Sequence, residues 1–215
     1  MSDAVRPDEL DVVPANEASW DDIRAVFGTT DYPGRCRCQR YRVLEHDWSA
    51  ATPEERAARL REQTGCDDPD HPGDPGGPGD RSTAGLVAYL DGEPVGWAAV
   101  APRTDFPRLL RTRVPWTGRK EDRADAGVWA VTCLLTRRGF RGRGITYGLA
   151  RATVPHARDH GARALEAYPM LTVPGVEITW GELHVGARQV FAEAGFREVS
   201  RPTLRRAVMR VDFYE

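Results

Sequence analysis

The chain has 215 residues, of which 40% are hydrophobic, with 32 acidic against 30 basic side chains for a formal charge of -2. That length and apolar content suit one domain with a real core. The balanced charge excludes bulk attraction to nucleic acid or to an anionic membrane. No apolar run approaches the roughly 20 residues needed to cross a bilayer. Met1 to Arg6 leads into acidic polar sequence without the apolar core of a secretion signal. A cytoplasmic protein is expected, with four cysteines as free thiols rather than a disulfide framework. Lys120 is the only lysine among the basic residues, a bias that fits a GC-rich coding genome better than a function.

The first strand is expected around Leu10 to Pro14. Ser19-Trp20-Asp21-Asp22 resembles a capping box, followed by a helical apolar stripe of Ile23, Val26 and Phe27 before Gly28. Thr52-Pro53-Glu54-Glu55 opens a second helix with a cap, a proline at the first helical position and a glutamate three residues after the cap. It should end near Thr64, before Gly65. Residues 67–83 carry proline and glycine at a density that raises the entropy cost of ordering, so they read as a flexible loop inside a single domain spanning residues 1–215.

Leu86 to Leu90 and Val95 to Val100 flank Asp91-Gly92-Glu93-Pro94, a hairpin signal. A charged connection over 102–126 follows, with one helical turn at Phe106 to Arg111. Val128 to Thr136 is an uncharged strand, and Thr146 to His160 reads as a helix in which Pro155 should cause a bend or an early break. Ala164 to Tyr168 is a further strand; Phe196 to Ser200 and Arg205 to Phe213 close the chain as an antiparallel pair. Strands and helices alternate in the middle and strands close the end, so the fold class is mixed α/β.

Between the uncharged strand and its helix lies Arg141-Gly142-Arg143-Gly144-Ile145-Thr146. A strand, a glycine-punctuated loop and a helix N-terminus make an anion site, because backbone N–H groups converge there and the helix dipole adds positive potential. Glycine lets the main chain approach a phosphate closely. A pyrophosphate-bearing cofactor is therefore expected.

These six residues resemble the R-x-x-G-x-G/A signature of the GNAT superfamily of acyl-CoA-dependent N-acetyltransferases, with Thr146 standing where Gly or Ala is usual. Ala187 to Phe196 is similar to the later family helix that ends in Gly-Phe, and the element order agrees over residues 10–213. The resemblance implies a mostly antiparallel mixed sheet, splayed at the acyl-CoA site and flanked by helices. It implies acetyl-CoA as cosubstrate and direct transfer to a primary amine, with a homodimer as the assembly to test. Arg141, Gly142, Arg143, Gly144, Ile145 and Thr146 would hold the pyrophosphate. Main-chain groups of Leu134 and Thr136 would bond the pantetheine, and the thioester would sit near Cys133 to Leu135. Phe191 falls at the place of a tyrosine that protonates the leaving thiolate in relatives, beside the cofactor; phenylalanine has no proton to give.

Relatives often carry a carboxylate base on the signature strand, and Val128 to Thr136 offers no Asp, Glu or His. Glu166 is the first substitute, set against its reading as an outward-facing strand glutamate. His184 is the second, with a usable imidazole that alternatively binds the cofactor. Tyr168 is a candidate proton donor to the thiolate. Missing acid and base residues also keep open a non-catalytic acyl-CoA-binding regulator. Cys36 and Cys38, with His46, Cys66 and His71, lack the paired C-x-x-C spacing of structural zinc, so no metal is expected. Gln39, Tyr41, Cys36 and Cys38 instead help line an acceptor pocket or pack in a small core. Cys133 in an apolar strand reads as packing rather than a nucleophile. The acidic connection of Asp105, Glu121, Asp122 and Asp125 either favours a cationic acceptor or is a solvated face.

Overall fold

Leu10–Pro14 (β1) pairs antiparallel with Gly85–Leu90 (β2), which turns into Glu93–Pro102 (β3). Asp91 and Gly92 at the corner have φ of 52° and 79°, the positive values that a tight two-residue hairpin requires. β3 pairs antiparallel with Val128–Thr136 (β4), and β4 runs parallel to Ala164–Ala167 (β5). β5 is antiparallel to Arg206–Asp212 (β7), which forms the closing hairpin with Arg197–Thr203 (β6). The sheet order is β1-β2-β3-β4-β5-β7-β6. Its one parallel pair needs a crossover, supplied by Ile145–Asp159 (α6). This computed structural model describes residues 5–6, 9–29, 31–66, 83–172 and 178–213. The loop expected at 67–83 therefore lies outside the described residues except for Thr83.

The expected helix caps are present. Ser19 accepts the Asp22 N–H at 3.0 Å and starts Trp20–Phe27 (α1). Thr52 and Glu55 exchange bonds of 3.2 and 2.7 Å at the head of Pro53–Thr64 (α4). Between them lie two short helices, Tyr32–Cys36 (α2) and Glu45–Ala50 (α3), too brief to show a 3.6-residue period in the sequence. Pro107–Arg111 (α5), Trp180–Leu183 (α7) and Arg188–Glu193 (α8) complete the set among the described residues. Of the bend or early break expected at Pro155, the break does not occur: α6 runs through it to Asp159. The proline and Arg151, whose carbonyl loses its bond, both lie on the solvent face of the helix.

One face of the sheet packs Trp129, Val131 and Leu134 against Ile145 and Leu149 of α6 and Val190 and Phe191 of α8. Gly96 lets α6 settle on β3, since an added Cβ would lie 2.9 Å from both Ile145 and Leu149. On the other face α1 and α4 cover Trp97 and Leu135, and α5 covers Ala130 and Tyr168.

The decisive irregularity is in β4. Ala99 faces Cys133 while Val100 faces Val131, so Thr132 is an extra residue. Such a bulge bends the strand and reverses its alternation, which puts Ala130 and Cys133 on the same face of the sheet. Pairing with β5 stops at Val131 and Ala167. Beyond that point β4 continues to Thr136 paired with β3 but no longer with β5, and the two strands part.

Candidate functional site

The opening between β4 and β5 leads to a cleft of about 400 Å³. Leu134 and Thr136 line its floor, Arg141, Gly142, Gly144, Ile145 and Thr146 one wall, and Leu183, Gly186, Ala187 and Val190 the other. Gly142 and Gly144 have φ of 76° and 85°, a conformation that side chains rarely adopt. Nothing stands within 4 Å of where a Gly142 Cβ would be, and Gly144 forms the N-cap of α6 without a side-chain cap bond. The N-terminus of a 15-residue helix, with the positive end of its dipole, thus borders the cleft.

Three of the expected cofactor residues are placed differently. Arg143 turns away, its carbonyl accepting the Val5 N–H at 2.8 Å and its guanidinium lying 5.8 Å from the Phe140 ring centre. Leu135 faces the opposite side of the sheet because neighbours on a strand alternate. Phe191 is wholly buried beneath Gly186 and packs edge-on against Phe196 at 5.2 Å. It supports the cleft wall from behind and does not line it. A fourth correction concerns Leu134, whose N–H donates to the His184 carbonyl at 2.7 Å. The turn carrying His184 occupies the main-chain position expected to be open to pantetheine.

On the far face of β4 lie two cavities that share Phe27, Pro33 and Leu135 as common walls. The inner one, about 20 Å³, is closed by Tyr32, Cys36, Cys38, Cys133 and His184. The outer one, about 220 Å³, extends past Asp31 to Thr136, Arg137, Arg138 and Arg141. Leu134 and Leu135 therefore stand with the cleft on one side and these cavities on the other.

His184 is the polar group of the inner cavity. Its Nδ1 sits 2.6 Å from the Gly181 carbonyl, which fixes the proton there, and Nε2 is buried without a hydrogen-bond partner among the described residues. Burial drives its pKa from 6.5 down to about 4, with Arg40 and Arg206 adding to the effect and the Gly181 carbonyl opposing it. The imidazole is neutral at physiological pH. A histidine depressed in the folded state binds fewer protons there than when unfolded. Its contribution to stability is full above about pH 6.5 and is lost toward pH 4. The loss is on the order of 3 kcal/mol, at about 1.36 kcal/mol per pKa unit. Unfolding free energies of the wild type and His184→Gln, measured from pH 7 to 4, should converge by that amount; parallel curves would exclude this titration.

Glu166 is fully buried and engaged on both oxygens. Arg119 donates to each, Arg210 donates at 2.8 Å, Arg103 at 3.3 Å and the Tyr168 hydroxyl at 2.9 Å. Burial alone would raise its pKa, but Arg119, Arg103 and Tyr168 outweigh it and hold the carboxyl below its usual range. A carboxylate with five donors has no lone pair to offer a substrate, so the geometry is that of a structural anchor. Tyr168 is likewise committed: its hydroxyl serves Glu166, and burial, then the neighbouring carboxylate, raises its pKa well above 10.0. Neither residue lines the cleft or the two cavities. Arg103, itself fully buried, extends the network to the Asp122 carbonyl at 2.6 Å and stacks 4.8 Å from the Trp116 ring centre.

The Acetyltransferase (GNAT) family profile matches residues 41–172. The chain belongs to the GNAT acetyltransferase family. Its fold is similar to that of an N-acetyltransferase from Staphylococcus aureus Mu50, at 14% identity and a TM-score of 0.50, over 94% of this chain and 98% of that one. It is equally similar to yncA, a putative acetyltransferase from Salmonella typhimurium solved with its cofactor acetyl-CoA. That match has 14% identity and a TM-score of 0.50, over 96% of this chain and 95% of that one. No curated protein matches the sequence at a significant level.

Within this GNAT frame the remaining candidates sort themselves. Cys36 and Cys38 line the inner cavity, whereas Cys66 accepts a bond from Thr64 in the core and His46 is exposed beside Asp47. His71 lies outside the described residues. Among the described residues no group of three His, Cys, Asp or Glu is placed to hold a metal. Burial, then Cys38, raises the Cys36 thiol to about 11, and a bond with Cys38 together with burial raises Cys133 well above 9.0. Such thiols are poor nucleophiles. Two of the four acids of the connection are paired with arginine: Glu121 with Arg103, Arg119 and Arg210, and Asp125 with Arg163.

Proposed function

We propose that this GNAT protein is an N-acetyltransferase that moves an acetyl group from acetyl-CoA directly to a primary amine. The observation that carries the reading is the opened β4 edge, with a phosphate-suited cleft on one face and a histidine-bearing cavity on the other. The cleft suits the cosubstrate: left-handed Gly142 and Gly144, the α6 N-terminus and Arg141 fit a pyrophosphate. Leu134, Leu183, Ala187 and Val190 give the apolar wall that a pantetheine arm needs. Bound acetyl-CoA supplies the thioester carbonyl that the amine attacks.

The chain's own part is to align the amine, exclude water and accept one proton. His184 Nε2 is the proton acceptor in this scheme, in place of Glu166. An imidazole with a pKa of about 4 cannot deprotonate a free alkylammonium; it takes the proton that the nitrogen sheds as it is acylated. The acceptor must therefore arrive as the free base. The rate constant kcat/KM should rise with the free-base fraction of the amine from pH 6 to 9, without a histidine inflection near 6.5. His184→Gln should lower kcat by about 10²–10⁴-fold, the usual span for a positioned base. Measuring CoA release across pH checks both, and an inflection near 6.5 that vanishes in the variant would show a different protonation state from the one argued.

One observation favours the second reading, an acyl-CoA-binding regulator. Glu166 and Tyr168 are immobilised and Phe191 is buried, so three of the expected positions contribute no proton chemistry. Saturable acetyl-CoA binding without CoA release in the presence of any amine would select it.

A further inference from the structure

The two cavities on the far face of β4 differ in charge as well as size, and the difference bears on the acceptor. This inference rests on the transferase reading above. The inner cavity, about 20 Å³, holds one water-sized group. An amine nitrogen fits in it against the wall that His184 forms, with Nε2 buried just behind, and the rest of the acceptor extends past Phe27, Pro33 and Leu135, which line both cavities. None of the residues around the inner cavity is a carboxylate that would welcome an ammonium group. Arg40, bonded to the Tyr32 hydroxyl at 2.8 Å, stands behind its wall and adds positive potential. The acidic connection faces its own arginines and offers nothing here.

The outer cavity is lined by three arginines against one acid, Asp31. Arg141 also borders the cofactor cleft, where it serves the pyrophosphate. Arg137 is tied to Glu93 at 3.1 Å. Arg138 is 81% exposed and makes a long 3.9 Å pair with Asp31, which an incoming anion can replace. We infer that the acceptor is a small bifunctional molecule, an amine joined through a short apolar spacer to an anionic group. The nitrogen enters the inner cavity and the anion meets Arg138 at the outer one. Polyamines and other polycations are disfavoured, because Asp31, the one acid in the two linings, is already paired with Arg138 and leaves a second positive charge without a partner.

The test compares δ-aminovalerate, cadaverine and pentylamine as acceptors at saturating acetyl-CoA, following CoA release. δ-Aminovalerate should exceed cadaverine in kcat/KM by about tenfold or more, and Arg138→Glu should reverse that order through like-charge repulsion of the acid and attraction of the diamine. In a separate readout, δ-aminovalerate but not cadaverine should raise the melting temperature of the CoA-saturated protein. Equal kcat/KM for all three acceptors, or a preference for cadaverine, overturns this inference and leaves the transferase reading intact. Acetyl-CoA binding with no CoA release from any of the three overturns this inference, and the same result with every amine tried overturns the transferase reading as well.

Discussion

Glu166→Gln is expected to lose stability before it loses chemistry. The wild-type carboxylate accepts from three guanidiniums and one phenol, at a position with no exposure. Glutamine keeps one acceptor oxygen, adds two donors, and leaves the cations of Arg103, Arg119 and Arg210 without their counter-charge. Removing one partner from a buried ionic cluster costs about 3–5 kcal/mol. For a chain of this size that is roughly 6–20 °C in Tm. The pH dependence has a definite sign. Because the folded pKa is below 4.5, the stability that ionised Glu166 contributes is present above the unfolded value. It is lost as pH falls through the folded one, and this acid-sensitive component should be missing in the variant. Calorimetry of both proteins, paired with kcat measured well below the variant's Tm, decides the matter. A near-native Tm with a collapse in kcat would make Glu166 the base after all.

The contrast between Glu166 and the glycine loop explains what was legible in the sequence. Caps at Ser19 and Thr52, the Asp91-Gly92 corner and the Arg141–Thr146 loop depend on neighbours a few residues away, so residue type and spacing suffice. Glu166 depends on arginines 63, 47 and 44 residues distant, and nothing local distinguishes it from an exposed strand glutamate. A signal did exist. The near absence of lysine fits genome composition, yet planar guanidiniums are also the cations that share one buried carboxylate well. Phe191 and Leu135 were missed for another reason. The family analogy supplied a role for their positions, but side-chain direction is set by strand alternation and by what packs beneath Gly186. The His184–Leu134 main-chain bond was out of reach, since it joins a strand to a turn brought back only after β5.

That bond and the glycine loop meet in the prediction that bears most directly on the cofactor. Acetyl-CoA at about 100 times its dissociation constant should add roughly 2.7 kcal/mol to the folded state, or about 5–11 °C in Tm at this chain length. Gly144→Asp should abolish the shift. Its φ of 85° strains any side chain, and the nearest atom to an added Cβ is Val5 O at 3.6 Å. The new carboxylate would therefore have room to project at the α6 N-terminus. There it would satisfy the helix dipole itself and repel a pyrophosphate. The variant alone should fold with only a modest loss, because the position is a loop end with open space around it. A cofactor shift of equal size in both proteins would remove the phosphate from this loop, and with it the orientation that puts the thioester near Cys133 to Leu135. A shift in the wild type alone would also require the His184 carbonyl to yield the Leu134 N–H to pantetheine. Slowed hydrogen exchange at Leu134 on cofactor binding would report that replacement, since a bond within the protein gives way to one that a saturating ligand holds closed.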